Sequence, residues 1–368
     1  MSSPPESDEV PAPRRITCRP DRMARVSGPP GTWPVPRLAT PARLADWLGL
    51  TPPELDWFAD CKCWNGGRVE RLRHYTLRWL RKPSGKYRLL EVPKSRLKAI
   101  QRKLLDELLV HVPPHEAAHA YRAGRSVCGF AAPHAGRRLV LRLDLRDFFP
   151  SVRAARVHAL FRRLGYPRAV ARLLTGLCTH SANVVDWPSD DDHAWQARQV
   201  YGARHLPQGA PTSPALANLC AWRLDARLSG LAARVGAVYT RYADDLAFSG
   251  DRDFERGARR FQVHVIRTAL EEGFDVNVRK TRFMRRAVRQ QLCGVVLNAR
   301  PNVRRAEYER LKAILHNCAG HGPDTQNRTH TADFRAHLLG RINWMAQVNP
   351  ERGRKLRAWF QQIRWELA

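Results

Sequence analysis

The sequence has no apolar run approaching the roughly 18 residues that a membrane-spanning helix requires, so no membrane span and no membrane partner are expected. Its start lacks the apolar core of a secretory signal, and a cytoplasmic location is the expectation. Cysteine gives no metal or disulfide framework. The eight cysteines are scattered, only Cys61 and Cys63 stand close, and one C-x-C without a second pair falls short of zinc-ligand spacing. Reduced and mostly buried thiols are expected instead. Acidic residues are scarce, with 34 Asp+Glu against 63 Lys+Arg, and the net charge is +29. A surplus of that size points to a polyanionic partner, because each phosphate that a cation neutralises releases counterions. The plain alternative is an arginine-rich soluble protein with no such partner. What the chain does have is apolar content, 43% over 368 residues, enough for two or three packed subdomains. No internal repeat is visible.

The chain reads as an ordered succession of segments. Residues 1–36 are rich in Pro, Ser and Arg and read as a disordered basic tail. Residues 37–70 form a helical segment, with Thr40-Pro41 and Thr51-Pro52 as helix starts. Tyr75 to Val92 alternates about a Pro83-Ser84-Gly85 turn and predicts a hairpin. An amphipathic helix follows, with Leu97, Ile100, Leu104 and Leu108 on one face. Leu139 to Leu143 predicts a strand closed by Asp144, and a helix follows Pro150-Ser151. Asn183 to Ala203 reads as an irregular inserted loop whose acidic run, Asp190-Asp191-Asp192, is solvated. Pro207 to Pro214 is turn-rich, with Ser213-Pro214 capping one long helix from Ala215 to Val235. After the hairpin at Asp244-Asp245 come a helix from Phe254 to Gly273, short strands near Val276 and at Leu292 to Leu297, and basic helices to the end.

The chemistry concentrates in Tyr242-Ala243-Asp244-Asp245. Adjacent aspartates at a tight turn repel each other, and a divalent cation would remove that repulsion. Asp144, at the end of the earlier strand, offers a third carboxylate if the two strands are neighbours. Three carboxylates from two strands suit Mg²⁺, a hard ion that retains water and takes phosphate ligands. Two such ions stabilise the attacking and leaving oxygens of phosphoryl transfer. Singly, an Asp at a strand end is an ordinary turn residue.

Three motifs in order resemble those of reverse transcriptases. Leu143-Asp144-Leu145-Arg146-Asp147-Phe148-Phe149-Pro150-Ser151-Val152 looks like motif A, Leu206 to Pro214 resembles motif B, and Tyr242-Ala243-Asp244-Asp245 is similar to motif C. The resemblance covers roughly residues 70 to 365 and implies an α+β right-hand polymerase. It would have fingers at 71–138, a palm of antiparallel sheet and helices at 139–290, and primer-grip strands with a helical thumb at 291–368. It implies that Asp144, Asp244 and Asp245 are catalytic ligands of two Mg²⁺ ions, with Mn²⁺ as a substitute. Phe149 falls where an aromatic ring excludes a ribose 2′-hydroxyl, and Gln208-Gly209 falls in the loop near template and incoming nucleotide. Lys82 and Arg88 match the basic positions that hold the triphosphate, where an arginine fork binds two oxygens. Lys280 falls at the motif D lysine, an acid for pyrophosphate departure. Cys293 to Asn298 resembles the primer grip. Of the thumb tryptophans, Trp344 and Trp359 read as core and Trp365 as a residue for stacking on bases.

Within that family the likeness is to bacterial retron enzymes. His119-Ala120-Tyr121 through Pro133-His134 resembles the segment before motif A, with Phe130 where retrons commonly have Asn. A second retron signature, Val-Thr-Gly, stands here as Leu292-Cys293-Gly294. The resemblance implies a stand-alone enzyme that copies a structured non-coding RNA into DNA from deoxynucleoside triphosphates. It also implies a role in anti-phage defence and a defence effector protein as a partner. Two other readings stay open: a catalytically silent RNA-binding protein of the same fold, and a defence polymerase that works without a template. A nucleotide cyclase would need a Gly-Gly-Asp/Glu-Glu-Phe hairpin, which is absent.

Overall fold

In the computed structural model, residues 33–64, 70–81, 87–182 and 193–365 are described. Lys82, the Pro83-Ser84-Gly85 turn, Asp190-Asp191-Asp192 and most of the N-terminal tail lie outside the described residues. A five-stranded antiparallel sheet is central. Strand β3 (Leu139–Arg146) pairs with β5 (Asp245–Gly250) on one side, and β5 pairs with β4 (Val238–Tyr242). On the other side of β3 lie β6 (Asp275–Val276) and β7 (Arg282–Arg285). The sheet packs on helices that include Trp222–Arg234 and Arg252–Glu271. An antiparallel hairpin, β1 (Tyr75–Arg81) and β2 (Tyr87–Pro93), stands before it, and a short pair, β8 (Gln291–Leu292) and β9 (Val295–Val296), follows it. The α+β class therefore holds.

Local chemistry explains the early helices. Thr40 caps Pro41–Leu48 by accepting from the Arg43 amide, and Thr51 and Glu54 form a reciprocal capping box on Pro52–Ala59. The C-terminal helices Arg305–His321, Phe334–Val348 and Pro350–Gln361 bury Leu311, Leu315, Leu338, Ile342 and Leu356 in a second core that they share with Phe130, with Val140 of β3, with Ala247 of β5 and with the β8–β9 pair. Trp344 and Trp359 are partly buried against that core, and so is Trp365, whose ring lies 5.1 Å from Phe360.

Five sequence expectations change. β3 runs on to Arg146 because Leu145 and Arg146 pair with Val276 and Asp275. The helix expected over Ala215 to Val235 is two, Ser213–Cys220 and Trp222–Arg234, broken at Ala221. Ser213 does not cap; its hydroxyl donates to the Pro207 carbonyl at 2.7 Å, and Thr212 takes the cap position. Within the expected irregular loop, His193–Gly202 is helical. β7 was not anticipated.

His134 fastens the sheet. It is fully buried, with Nδ1 2.7 Å from Ser249 Oγ on β5 and Nε2 2.7 Å from Thr240 Oγ1 on β4. Thr240 donates its own proton to the Phe130 carbonyl at 2.9 Å. Nε2 is therefore the donor to Thr240, and the Ser249 hydroxyl donates to Nδ1. Burial pushes the His134 pKa down to about 3. The unfolded chain binds this proton near the ordinary 6.5 and the fold only near 3, so the unfolded state gains protons first as acid is added. Stability is expected to fall below pH 6.5 by about 1.4 kcal/mol per unit. Stability measured between pH 7 and 4 should show at least that slope, since His119, pushed down to about 4 by burial, adds to it in the same direction, and His134→Gln should remove the share of one proton. An unchanged slope in the variant would assign the acid response elsewhere.

Candidate active site

The strand register brings the three carboxylates together. Asp144 on β3 stands directly opposite Asp245 on β5, and Asp244 precedes Asp245 in the turn. The turn is tight, because Tyr242 pairs with Asp245 and leaves only Ala243 and Asp244 between strands. Ala243 has φ +55, a left-handed backbone that such turns usually give to glycine. The strained residue is held from below. Buried Arg241 donates to the Ala243 carbonyl at 3.1 Å, and the Asp244 carbonyl accepts from the Leu145 amide at 2.8 Å.

The electrostatics are those of crowded anions. Burial raises the Asp244 pKa, the charges of Asp245 and Asp144 raise it further, and Lys280 opposes them. Lys280 Nζ donates to Asp144 Oδ1 at 2.7 Å, while Arg142 grips Asp245 with Nε at 2.8 Å and Nη2 at 2.9 Å. Cys293, at φ +43, places its thiol 3.4 Å from Asp245 Oδ2. Burial and the Asp245 charge push that thiol up to about 12. Among the described residues, no group of three His, Cys, Asp or Glu side chains converges as a ready metal cage. The carboxylates instead spend their oxygens on Lys280 and Arg142. The donor set still fits a hard divalent cation, since it is acceptor-only oxygen around an under-compensated Asp244. The Lys280 side chain is 59% exposed, whereas the Asp144 carboxylate that it meets is buried.

The surrounding residues are placed by a second network. Phe149 is the second residue of the short helix Phe148–Ser151, half-buried beside Phe148 and 6.0 Å from the ring of Tyr121. The Gln208-Gly209 loop rests on β2, where the Glu91 amide donates to the Gln208 carbonyl at 2.9 Å. Gly209 has φ +132, and a Cβ there would lie 3.0 Å from the Glu91 carbonyl oxygen, so the close approach requires glycine. Beneath the loop, buried Glu91 accepts from His180 at 2.7 Å and from His205 at 2.8 Å. Burial alone would raise the Glu91 pKa, but these two donors outweigh it and hold it at about 2. The other ring nitrogen of His205 faces the Ala203 carbonyl at 2.8 Å. Both ring nitrogens of His205 thus face oxygen atoms, one of Glu91 and one of the Ala203 carbonyl. Arg88, exposed on β2, pairs across to Leu80.

Several contributors escaped the sequence reading. Arg142 lies two residues before Asp144 on the same strand face, a lone cation in an apolar run, and that period-two placement was a usable signal. Buried Arg241 and Asp225 form an ion pair, with bonds of 2.7 and 2.6 Å, that no local pattern announces. Phe130, where retrons commonly have Asn, is fully buried against the C-terminal core and the Tyr242 ring, so it is a packing residue here.

The model of the family described as reverse transcriptase (RNA-dependent DNA polymerase) matches residues 80–309. The retron Mx65 reverse transcriptase of Myxococcus xanthus is 45% identical over 78% of this chain and 64% of its own length. The retron Mx162 reverse transcriptase of the same organism is 35% identical over 87% of this chain and 66% of its own. The retron Ec86 reverse transcriptase of Escherichia coli is 28% identical over 80% of this chain and 81% of its own. The chain thus spans just under two thirds of the first two relatives. It belongs to the reverse transcriptase (RNA-dependent DNA polymerase) family, and its likeness within that family is to the bacterial retron-type members.

Proposed function

We propose that this chain is an RNA-directed DNA polymerase of retron type, a nucleotidyltransferase that copies a structured non-coding RNA into DNA for anti-phage defence. The observation that carries the reading is the register that sets Asp144 opposite Asp245 with Asp244 in the adjoining turn. These three residues hold Mg²⁺, with Mn²⁺ as a substitute. Bound there, a pair of divalent cations supplies positive charge to the attacking and leaving oxygens of phosphoryl transfer. The protein's own groups do the positioning. Arg142 keeps Asp245 oriented through its two-pronged bond, and Arg241 keeps the turn in its left-handed form. Lys280, which meets the cluster at Asp144, is the acid that protonates the departing pyrophosphate in this reading. Arg88, with Lys82, holds the triphosphate, and Gln208-Gly209 presents backbone to the template base. Phe149 excludes a 2′-hydroxyl. The working division is an N-terminal helical segment at 37–70, fingers at 71–138, palm at 139–290 and thumb at 291–368. A defence effector protein is the further partner this reading expects.

Primer extension on an RNA template with deoxynucleoside triphosphates and Mg²⁺ tests the reading. Templated, chelator-sensitive extension is expected. Nucleic acid co-purified from the native host is expected to contain a short DNA joined to RNA. Incorporation that ignores template sequence would favour untemplated synthesis, and RNA binding without any incorporation would leave a silent RNA-binding protein.

A further inference from the structure

Tyr121 stands out among the residues around the carboxylates. Its side chain is 54% exposed, yet its backbone sits at φ +57, where a bulky residue is rare. The segment before it is fixed with care. Ala117 and His119 bond the Arg241 backbone through its amide at 2.7 Å and its carbonyl at 2.8 Å, running parallel to β4. Asn218, from the helix that follows the Gln208-Gly209 loop, donates to the Ala120 carbonyl at 2.8 Å and accepts from Arg241 at 3.0 Å. The Arg241 side chain that anchors the Ala243 turn is therefore linked through Asn218 to the residue before Tyr121. Core packing does not explain the ring, which belongs to none of the buried clusters among the described residues. Its nearest aromatic contact is Phe149, with centroids 6.0 Å apart and planes inclined by 50°. Burial raises the phenol's pKa first, the Asp244 and Tyr242 charges raise it further, and Arg88 opposes them. Strain of this kind persists where the surroundings over-determine it, commonly at functional sites.

We infer that Tyr121 is a specificity-determining residue that forms, with Phe149, the wall against which the sugar of the incoming nucleotide is read. This rests on the polymerase reading above. Phe149 packs beside Phe148, with centroids 5.6 Å apart, and Tyr121 gives the ring a second support; with both in place the ring holds its position and the clash with a 2′-hydroxyl is enforced.

Four variants of the full chain, Tyr121→Ala, Tyr121→Phe, Phe149→Val and the double Tyr121→Ala with Phe149→Val, test this by single-nucleotide incorporation on a primed RNA template. The ratio of ribonucleotide to deoxynucleotide kcat/KM is the readout. Tyr121→Ala is expected to raise that ratio about tenfold, the scale of one lost pocket contact. Tyr121→Phe, which keeps the ring, should retain the parent ratio. Tyr121→Ala combined with Phe149→Val should be no looser than Phe149→Val alone, since both act through one ring. A Tyr121→Ala ratio equal to the parent's, whatever its rate, overturns the inference if Phe149→Val still loosens selectivity, and leaves the polymerase reading intact. Failure of the parent chain to incorporate either sugar overturns the polymerase reading and this inference with it.

Discussion

Asp244→Asn is expected to abolish deoxynucleotide incorporation, by on the order of a thousandfold or more, while making the metal-free fold more stable. The two effects have one cause. Asp244 sits among like charges, with Asp245 beside it and Asp144 across the sheet edge, and burial adds to the cost of ionising it. The protein's own cations answer the other two carboxylates, Lys280 on Asp144 and Arg142 on Asp245. Asparagine keeps the shape of the side chain and removes the repulsion, so the thermal midpoint without metal should rise by roughly 1–2 °C. The same change removes the oxygen charge that a divalent cation would use, so the chemical step should be lost. Primer extension and thermal melting on one preparation measure both. Loss of activity together with a lowered midpoint would make Asp244 structural. Retained activity would remove it from the metal site.

Much of this site is legible in the sequence because its parts are local patterns. The hairpin around Asp244-Asp245, the apolar strand ending near Asp144 and the proline-framed Gln208-Gly209 loop each carry their own periodicity or turn chemistry. What was not legible depends on distant partners. The extension of β3 past Asp144 exists because β6 arrives to pair with it from more than a hundred residues later. The break at Ala221 falls at a residue with good helix propensity, so propensity gives no sign of it. Alanine at position 243 gives no sign of its left-handed backbone. Phe130 was not legible either, since nothing in its neighbours tells that it is fully buried among residues of the C-terminal strands and helices.

The network beneath the turn gives the largest expected effect on stability. Arg241 and Asp225 are both fully buried, joined through Arg241 Nε at 2.7 Å and Nη2 at 2.6 Å, and Asp225 also accepts from the Tyr239 hydroxyl at 2.8 Å. The guanidinium further stacks over Phe148, 5.5 Å from its centroid. Removing one partner of such a pair leaves the other charge buried with too few donors. Arg241→Ala is therefore expected to cost about 3–5 kcal/mol, among the largest effects a single substitution has. Asp225→Ala should cost a similar amount, because it strands the guanidinium instead. The double change Arg241→Ala with Asp225→Ala should cost clearly less than the sum of the two single losses, since it strands no charge. Urea midpoints of the four proteins close this cycle, and simple additivity would show that the pair is not coupled. The stable double variant separates fold from function. It lacks the donor to the Ala243 carbonyl and the contact that steadies Asn218, so its turn and the Tyr121 backbone are no longer tied together. If the network serves only stability, that variant extends primers as well as the parent. If it holds the carboxylates for chemistry, the variant stays folded and its kcat falls, which is the outcome expected from a strained turn whose anchor is gone.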